Sequence, residues 1–258
     1  MNHRKTLNID QLKVLELLYK FRFGSNDLVA QYFGKRDRSF VYKRLKILLE
    51  QGLIDRRFDS SYRLLGKPAA HYLLPEGARM LQAAKSNTAI NIKVTYKNKS
   101  VSEEFVGYCL ALFDIYCQIR RSYGDAVHFF TRHQLAGHYD YFDDFVPGAY
   151  MRIDMEDGDK DYFIEYLQSS KPFFASVRRL KQYIEYADTG EWEAGTDCDF
   201  PKVLLVCDAS SLQDRLMKRA DSILDEADDE LEFYITDREV NTWRNLAAPD
   251  VLLTLSQL

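Results

Sequence analysis

Leu45-Lys46-Ile47-Leu48-Leu49-Glu50-Gln51-Gly52-Leu53-Ile54 is the stretch on which the fold turns. Its first half continues a helical pattern that begins at Asp37 or Ser39. Val41, Leu45 and Leu48 recur at i, i+4 and i+7 and predict one buried stripe. Gly52 stops that helix, and Leu53-Ile54-Asp55-Arg56-Arg57-Phe58 alternates as a strand. Upstream, residues 9–21 place Leu12, Leu15, Leu18 and Tyr19 on a helical stripe, with Asn8 or Asp10 as cap. Gly24-Ser25-Asn26 breaks the chain, and a short second helix is predicted from Asp27 to Phe33, ended by Gly34. Downstream, Asp59-Ser60-Ser61 reads as a turn and Gly66-Lys67-Pro68 as a second irregular stretch. Ala70-His71-Tyr72-Leu73-Leu74 is the expected return strand, and Pro75-Glu76-Gly77 opens a helix from Ala78 to Lys85.

A short helix, a turn, a longer basic helix and a basic hairpin resemble a winged helix-turn-helix over residues 8–85. Ser39, Lys43 and Lys46 lie opposite the apolar stripe of the third helix, with Tyr42 at the edge and Lys35, Arg36 and Arg38 continuing the polar face upstream. Arg56, Arg57, Arg63 and Lys67 cluster on the hairpin. These eleven residues form the expected DNA-binding set, the helix entering a major groove and the cations meeting phosphates.

The charge distribution agrees. The 258 residues carry a formal net charge of −4, but residues 1–100 hold 20 Lys and Arg against 8 Asp and Glu, and residues 101–258 hold 15 against 31. A first half at +12 and a second at −16 suggest two units with different tasks, the basic one facing a polyanion. With 46% hydrophobic and 29% charged residues the chain is expected to be globular. Its apolar runs fall short of a membrane span, and no secretory signal is expected at the start. Cys109, Cys117, Cys198 and Cys207 form no CxxC pair, which points to reduced thiols and a cytoplasmic setting.

The polar stretch 86–100 is the expected boundary, giving domains over 1–86 and 101–258. Beyond it the pattern predicts a helix over 103–123, strands over 126–132, 141–155 and 162–167, a helix over 176–187, a strand over 202–207, a helix over 211–226 and a strand over 232–236. Asp157-Gly158 centres a hairpin turn. The acidic loop there is not an EF-hand, because Asp159 stands where that loop requires glycine. The element order implies layered α/β structure.

Four segments in this order resemble the replication-relaxation family: Phe145-Val146-Pro147-Gly148-Ala149-Tyr150, Tyr162-Phe163-Ile164-Glu165-Tyr166, Leu180-Lys181-Gln182-Tyr183 and Pro201-Lys202-Val203-Leu204-Leu205-Val206. The resemblance implies a plasmid or conjugative-element protein with an N-terminal winged helix and a C-terminal domain similar to PD-(D/E)XK nucleases, an α+β or α/β fold. Such nucleases hold Mg²⁺ between a carboxylate after a Pro and one on the next strand, with a nearby Lys. Here Gly148 follows Pro147, Glu165 matches the second acid, and Leu167 replaces the Lys. Lys181 is a candidate replacement, and Asp143, Asp144 or Asp154 a candidate second acid; an active site would draw on Glu165, Lys181 and Asp154 with Mg²⁺ or Mn²⁺.

Because one carboxylate alone binds Mg²⁺ poorly, an inactive domain without cofactor is expected, with Glu165 paired to Lys181 or Arg178. The leading expectation is a DNA-binding accessory protein acting at an origin of transfer or replication. It would bind double-stranded DNA as a homodimer and touch a relaxase or replication protein, with no membrane contact. The alternatives are a metal-dependent relaxase or nuclease that nicks DNA, and a transcriptional repressor.

Overall fold

The computed structural model describes residues 7–34, 38–84, 90–156, 158–225, 231–248 and 250–258, with the side chain of Arg38 left out. The chain divides into two units, Met1–Cys117 and Gln118–Leu258.

In the first unit, α1 (Ile9–Phe21) starts at a reciprocal capping box: Gln11 N donates to Asn8 Oδ1 at 2.9 Å and Asn8 N to Gln11 Oε1 at 3.0 Å. Its buried stripe is Val14, Leu15, Leu17, Leu18 and Phe21 rather than one centred on Leu12 and Tyr19, which are half-buried. After β1 (Phe23–Gly24), Ser25 caps α2 (Asn26–Tyr32), its Oγ accepting from Leu28 N at 3.2 Å. Helix α3 (Arg38–Glu50) buries Val41, Leu45 and Leu48. Strand β2 (Ile54–Arg57) follows, then α4 (Ser60–Leu64), β3 (Ala70–Leu73) and α5 (Pro75–Ala84). The three strands form an antiparallel sheet in the order β1-β3-β2.

Two expectations are corrected here. Residues 59–61 are not a simple turn: Asp59 Oδ1 accepts from Ser61 N and Tyr62 N and starts α4 at the hairpin tip. Nor do the units part at 86–100. In its described portion, 90–100, a short helix α6 (Lys93–Tyr96) is followed by buried Asn98, whose Oδ1 accepts from Arg22 Nε at 3.0 Å and Nη2 at 2.8 Å. The division falls inside α7 (Glu103–Tyr123), because that helix supplies core to the first unit. Phe113 stacks on Phe21 with centroids 4.5 Å apart, and Val106 and Cys109 pack against Phe23 and Tyr72.

The second unit holds a seven-stranded mixed sheet, ordered β10-β9-β8-β7-β6-β5-β4. Strand β4 (Val127–Thr131) leads through α8 (Arg132–Leu135) to β5 (Ala149–Ile153) and β6 (Lys160–Leu167), each antiparallel to the last. Helix α9 (Phe173–Asp188) and a short α10 (Glu191–Thr196) cross over to β7 (Lys202–Cys207), parallel to β6. Helices α11 (Ser210–Met217) and α12 (Ala220–Leu224) precede β8 (Phe233–Thr236), parallel to β7, and β9 (Trp243–Asn245) and β10 (Leu252–Leu253) extend the sheet. The strand expected over 141–155 is only its second half, and the helix expected over 211–226 is two pieces. Strands β9 and β10 lack the long apolar run that marks β7. Phe163, Leu167, Val203, Leu205 and Cys207 face Leu180, Tyr183 and Ile184 of α9 to form the core. Among the described residues no helix is long and apolar enough to cross a membrane.

The Pro75-Glu76-Gly77 start of α5 has a steric reason. A Cβ at Gly77 would press on the Leu53 carbonyl oxygen and lie 2.8 Å from Leu73 Cδ1, and that carbonyl accepts from Leu74 N at 3.0 Å. Gly77→Ala is therefore expected to cost the first unit about 1–3 kcal/mol, measured as a lower denaturant midpoint. An unchanged midpoint would contradict the close approach.

Candidate functional site

Of the expected site residues, the first unit brings Tyr42, Lys46 and Arg56 to one cleft. Ser39, Tyr42, Lys43 and Lys46 are all exposed on α3, opposite Val41, Leu45 and Leu48. Lys46 Nζ lies 3.9 Å from Glu50 Oε1, a loose surface pair that a phosphate could displace. Arg56, exposed on β2, borders the same cleft of about 250 Å³ as Tyr42 and Lys46, whose wall also includes Leu45, Leu49 and Glu50 of α3 and His71 of β3. Arg63 and Lys67 are exposed at the hairpin tip. Lys35 and Arg36, and the side chain of Arg38, lie outside the described residues.

Arg57 departs from the expectation. It alternates to the opposite side of β2, where Nη1 donates to Val101 O at 2.6 Å and Nη2 lies 2.5 Å from Glu103 Oε1. It ties the hairpin to α7, so its charge is spent inside the protein. Leu64 and Leu65 are not among the residues the sequence pattern singles out. They are 88% and 64% exposed at the hairpin tip, beside Arg63. The signal is an apolar pair between the expected turn at 59–61 and the irregular stretch at 66–68.

In the second unit Glu165 sits on the apolar row Phe163-Glu165-Leu167 of β6 and is 7% exposed. Three donors converge on its Oε2: Arg179 Nε at 2.8 Å, Tyr183 OH at 3.0 Å and Gly148 N at 3.1 Å. Arg179 also donates from Nη2 to Val146 O at 2.7 Å, and its guanidinium lies 4.4 Å from the Phe145 ring centroid and 5.0 Å from that of Tyr183. The cation on Glu165 is thus Arg179, not the expected Arg178 or Lys181. Arg178 is exposed, and Lys181 lies about 200° round the helix from Arg179. Arg179 shares its helix face with Tyr183, at i+4.

The other expected acids are elsewhere. Asp154 follows β5 at its far end and accepts from or pairs with His128 Nε2 at 2.9 Å. The register places Gly148 opposite Glu165, six residues from Asp154, or about 20 Å along the strand. Asp143 and Asp144 are exposed in the loop before Phe145. Leu167, at the lysine position, is buried.

Residues 15–202 match the sequence pattern of a family described as replication-relaxation, a span from within α1 to the start of β7. The chain belongs to the replication-relaxation family. No curated protein matches it. Among solved structures the restriction endonuclease FokI resembles it with a TM-score of 0.35 and 10% sequence identity, over 89% of this chain and 42% of that one. The chain therefore spans less than half the length of that structure.

In this replication-relaxation protein the residues around Glu165, on which an active site would draw, do not fit Mg²⁺ or Mn²⁺. A two-carboxylate site needs oxygen ligands on both sides of the ion. Gly148 presents an N–H donor where the second carboxylate would stand, and the Arg179 guanidinium already holds the one carboxylate present. Among the described residues, no three His, Cys, Asp or Glu side chains come together as ligands.

Removing one partner of a buried ion pair leaves the other uncompensated. Arg179→Met is expected to lower the stability of the second unit by about 3–5 kcal/mol, and Glu165→Gln with Arg179→Met to recover much of that loss. A thermal-unfolding cycle over the four forms measures it; equal losses in the single and double variants would remove the pair from its structural role.

His71, in the cleft wall, titrates in the other unit. Burial pushes its pKa down from 6.5 to about 4, aided by Arg56, and Nε2 bonds to Asn26 Oδ1 at 2.9 Å. Between those values the unfolded chain binds the proton and the folded unit does not. Its contribution to stability is complete above pH 6.5 and is lost as pH falls toward 4, by up to about 1.4 kcal/mol per pH unit. Urea midpoints across this range should fall with pH in the native protein and flatten in His71→Gln.

Proposed function

We propose that this chain is a DNA-binding accessory protein of a plasmid or conjugative element, acting in the cytoplasm at an origin of transfer or replication. The observation that carries the reading is the shared cleft: one flank of α3, with Tyr42 and Lys46 beside Leu45, Leu49 and Glu50, and Arg56 of the hairpin border one space. A helix inserted in a major groove with a basic hairpin beside it requires that juxtaposition. The excess of cations in residues 1–100 supplies the sequence-independent part of the affinity. Lys35, Arg36, Arg38, Ser39, Tyr42, Lys43, Lys46, Arg56, Arg63 and Lys67 are the proposed contacts, and Arg57 positions the hairpin.

The acidic second unit is proposed to bind protein, either a second copy or a relaxase or replication protein, because its net charge repels DNA. The Glu165–Arg179 pair supports a domain that does not cleave.

Gel retardation of a supercoiled plasmid carrying its native element, with and without Mg²⁺ or Mn²⁺, tests this. Retarded DNA that returns supercoiled after protease treatment is the expected result. Metal-dependent relaxation abolished by Glu165→Ala would favour the nicking enzyme instead. Lys43→Ala should weaken binding across all sequences and reduce the slope of log affinity against log salt by about 1.

A further inference from the structure

The tip of the hairpin in the first unit presents apolar side chains next to exposed cations. Leu64 is 88% exposed and Leu65 is 64% exposed, consecutive residues at the end of α4. Phe58, 37% exposed, lies at the base of the tip with the Arg63 and Arg56 guanidinium groups 5.3 Å and 5.8 Å from its ring centroid. Lys67 follows, also exposed. The only acid within the tip, Asp59, spends its carboxylate on Ser61 and Tyr62 as the cap of α4.

The tip is held in place. Tyr62 is 5% exposed, packs with Phe23, Ala70 and Tyr72, and donates its hydroxyl to Glu103 Oε2 at 2.7 Å. Lys67 N donates to Tyr62 O at 2.8 Å and Gly66 turns the chain with φ +63°. Two leucines are thus presented to solvent by an anchored helical turn.

We infer that Leu64 and Leu65 form a wedge that enters the DNA minor groove and partly unstacks a base step, while Arg56, Arg63 and Lys67 meet the flanking phosphates. Charge selects the occupant: an apolar protein partner has no use for the surrounding cations, whereas a polyanion with an apolar interior between its charged rails matches them. Apolar side chains flanked by Arg and Lys open base steps in this way, most easily at flexible pyrimidine–purine steps. The inference rests on the DNA-binding reading and adds to it a groove, a mode of contact and a distortion of the DNA.

Unstacking unwinds the duplex, so the test needs no knowledge of the binding sequence. Closed-circular plasmid is relaxed by a topoisomerase with saturating protein bound, deproteinised, and its topoisomers resolved. The native protein should retard the plasmid and leave a linking-number shift. The double variant Leu64→Ala, Leu65→Ala should melt at the same temperature, retard DNA with the same salt slope, and lose the shift. Retardation without a shift in the native protein, or an equal shift in both forms, would overturn the wedge and leave the DNA-binding reading standing. Failure of the native protein to retard any DNA would overturn both. A change of oligomeric state in the double variant, seen by sedimentation, would assign the leucines to a protein contact instead.

Discussion

The guanidinium of Arg179 on the carboxylate of Glu165 governs what the second unit can be. Strand β6 runs between two neighbours, and Glu165 sits between Phe163 and Leu167 on the face it turns to α9. An ionised carboxylate there is tolerable only if its oxygens are met by donors. Arg179, Tyr183 and the backbone of Gly148 meet them, and Arg179 binds the Val146 carbonyl as well. The same contacts lock α9 to the loop that enters β5. A position that could have held a divalent cation between two acids is occupied by a fixed organic cation on one.

The first unit is organised by a different constraint, the close approach of α5 to the turn between α3 and β2. Gly77 lets the Leu53 carbonyl sit against the helix and accept from Leu74. The turn between α3 and β2 is held there, and Arg56 on β2 borders the cleft shared with Tyr42 and Lys46. Alternation along β2 then divides two neighbouring arginines: Arg56 faces the cleft and Arg57 is bound to Val101 and Glu103. Neighbouring cations on one short strand are thus turned to different surroundings, an open cleft and the protein's own backbone and carboxylate.

Much of this was legible in the residues. The stripe Val41–Leu45–Leu48, the glycine stop, the alternating strand and the apolar run Val203–Cys207 each specify one element through local periodicity, and each element is present. The short strands β9 and β10 were not legible, because three and two residues carry no period and their pairing comes entirely from neighbours. The helical turn at 60–64 was hidden for a similar reason: Asp-Ser-Ser suits a turn and a helix cap equally.

The sequence by itself determined most helices and strands of the first unit, the contrast in charge between the two parts of the chain, and the acid at 165, because these depend on residue identity and near-neighbour spacing. Tertiary structure decided which cation meets Glu165, which of Arg56 and Arg57 faces outward, and that 90–117 belongs with the first unit. Those outcomes depend on helix rotation, strand pleat and packing between residues as far apart as Phe21 and Phe113, which no local pattern encodes.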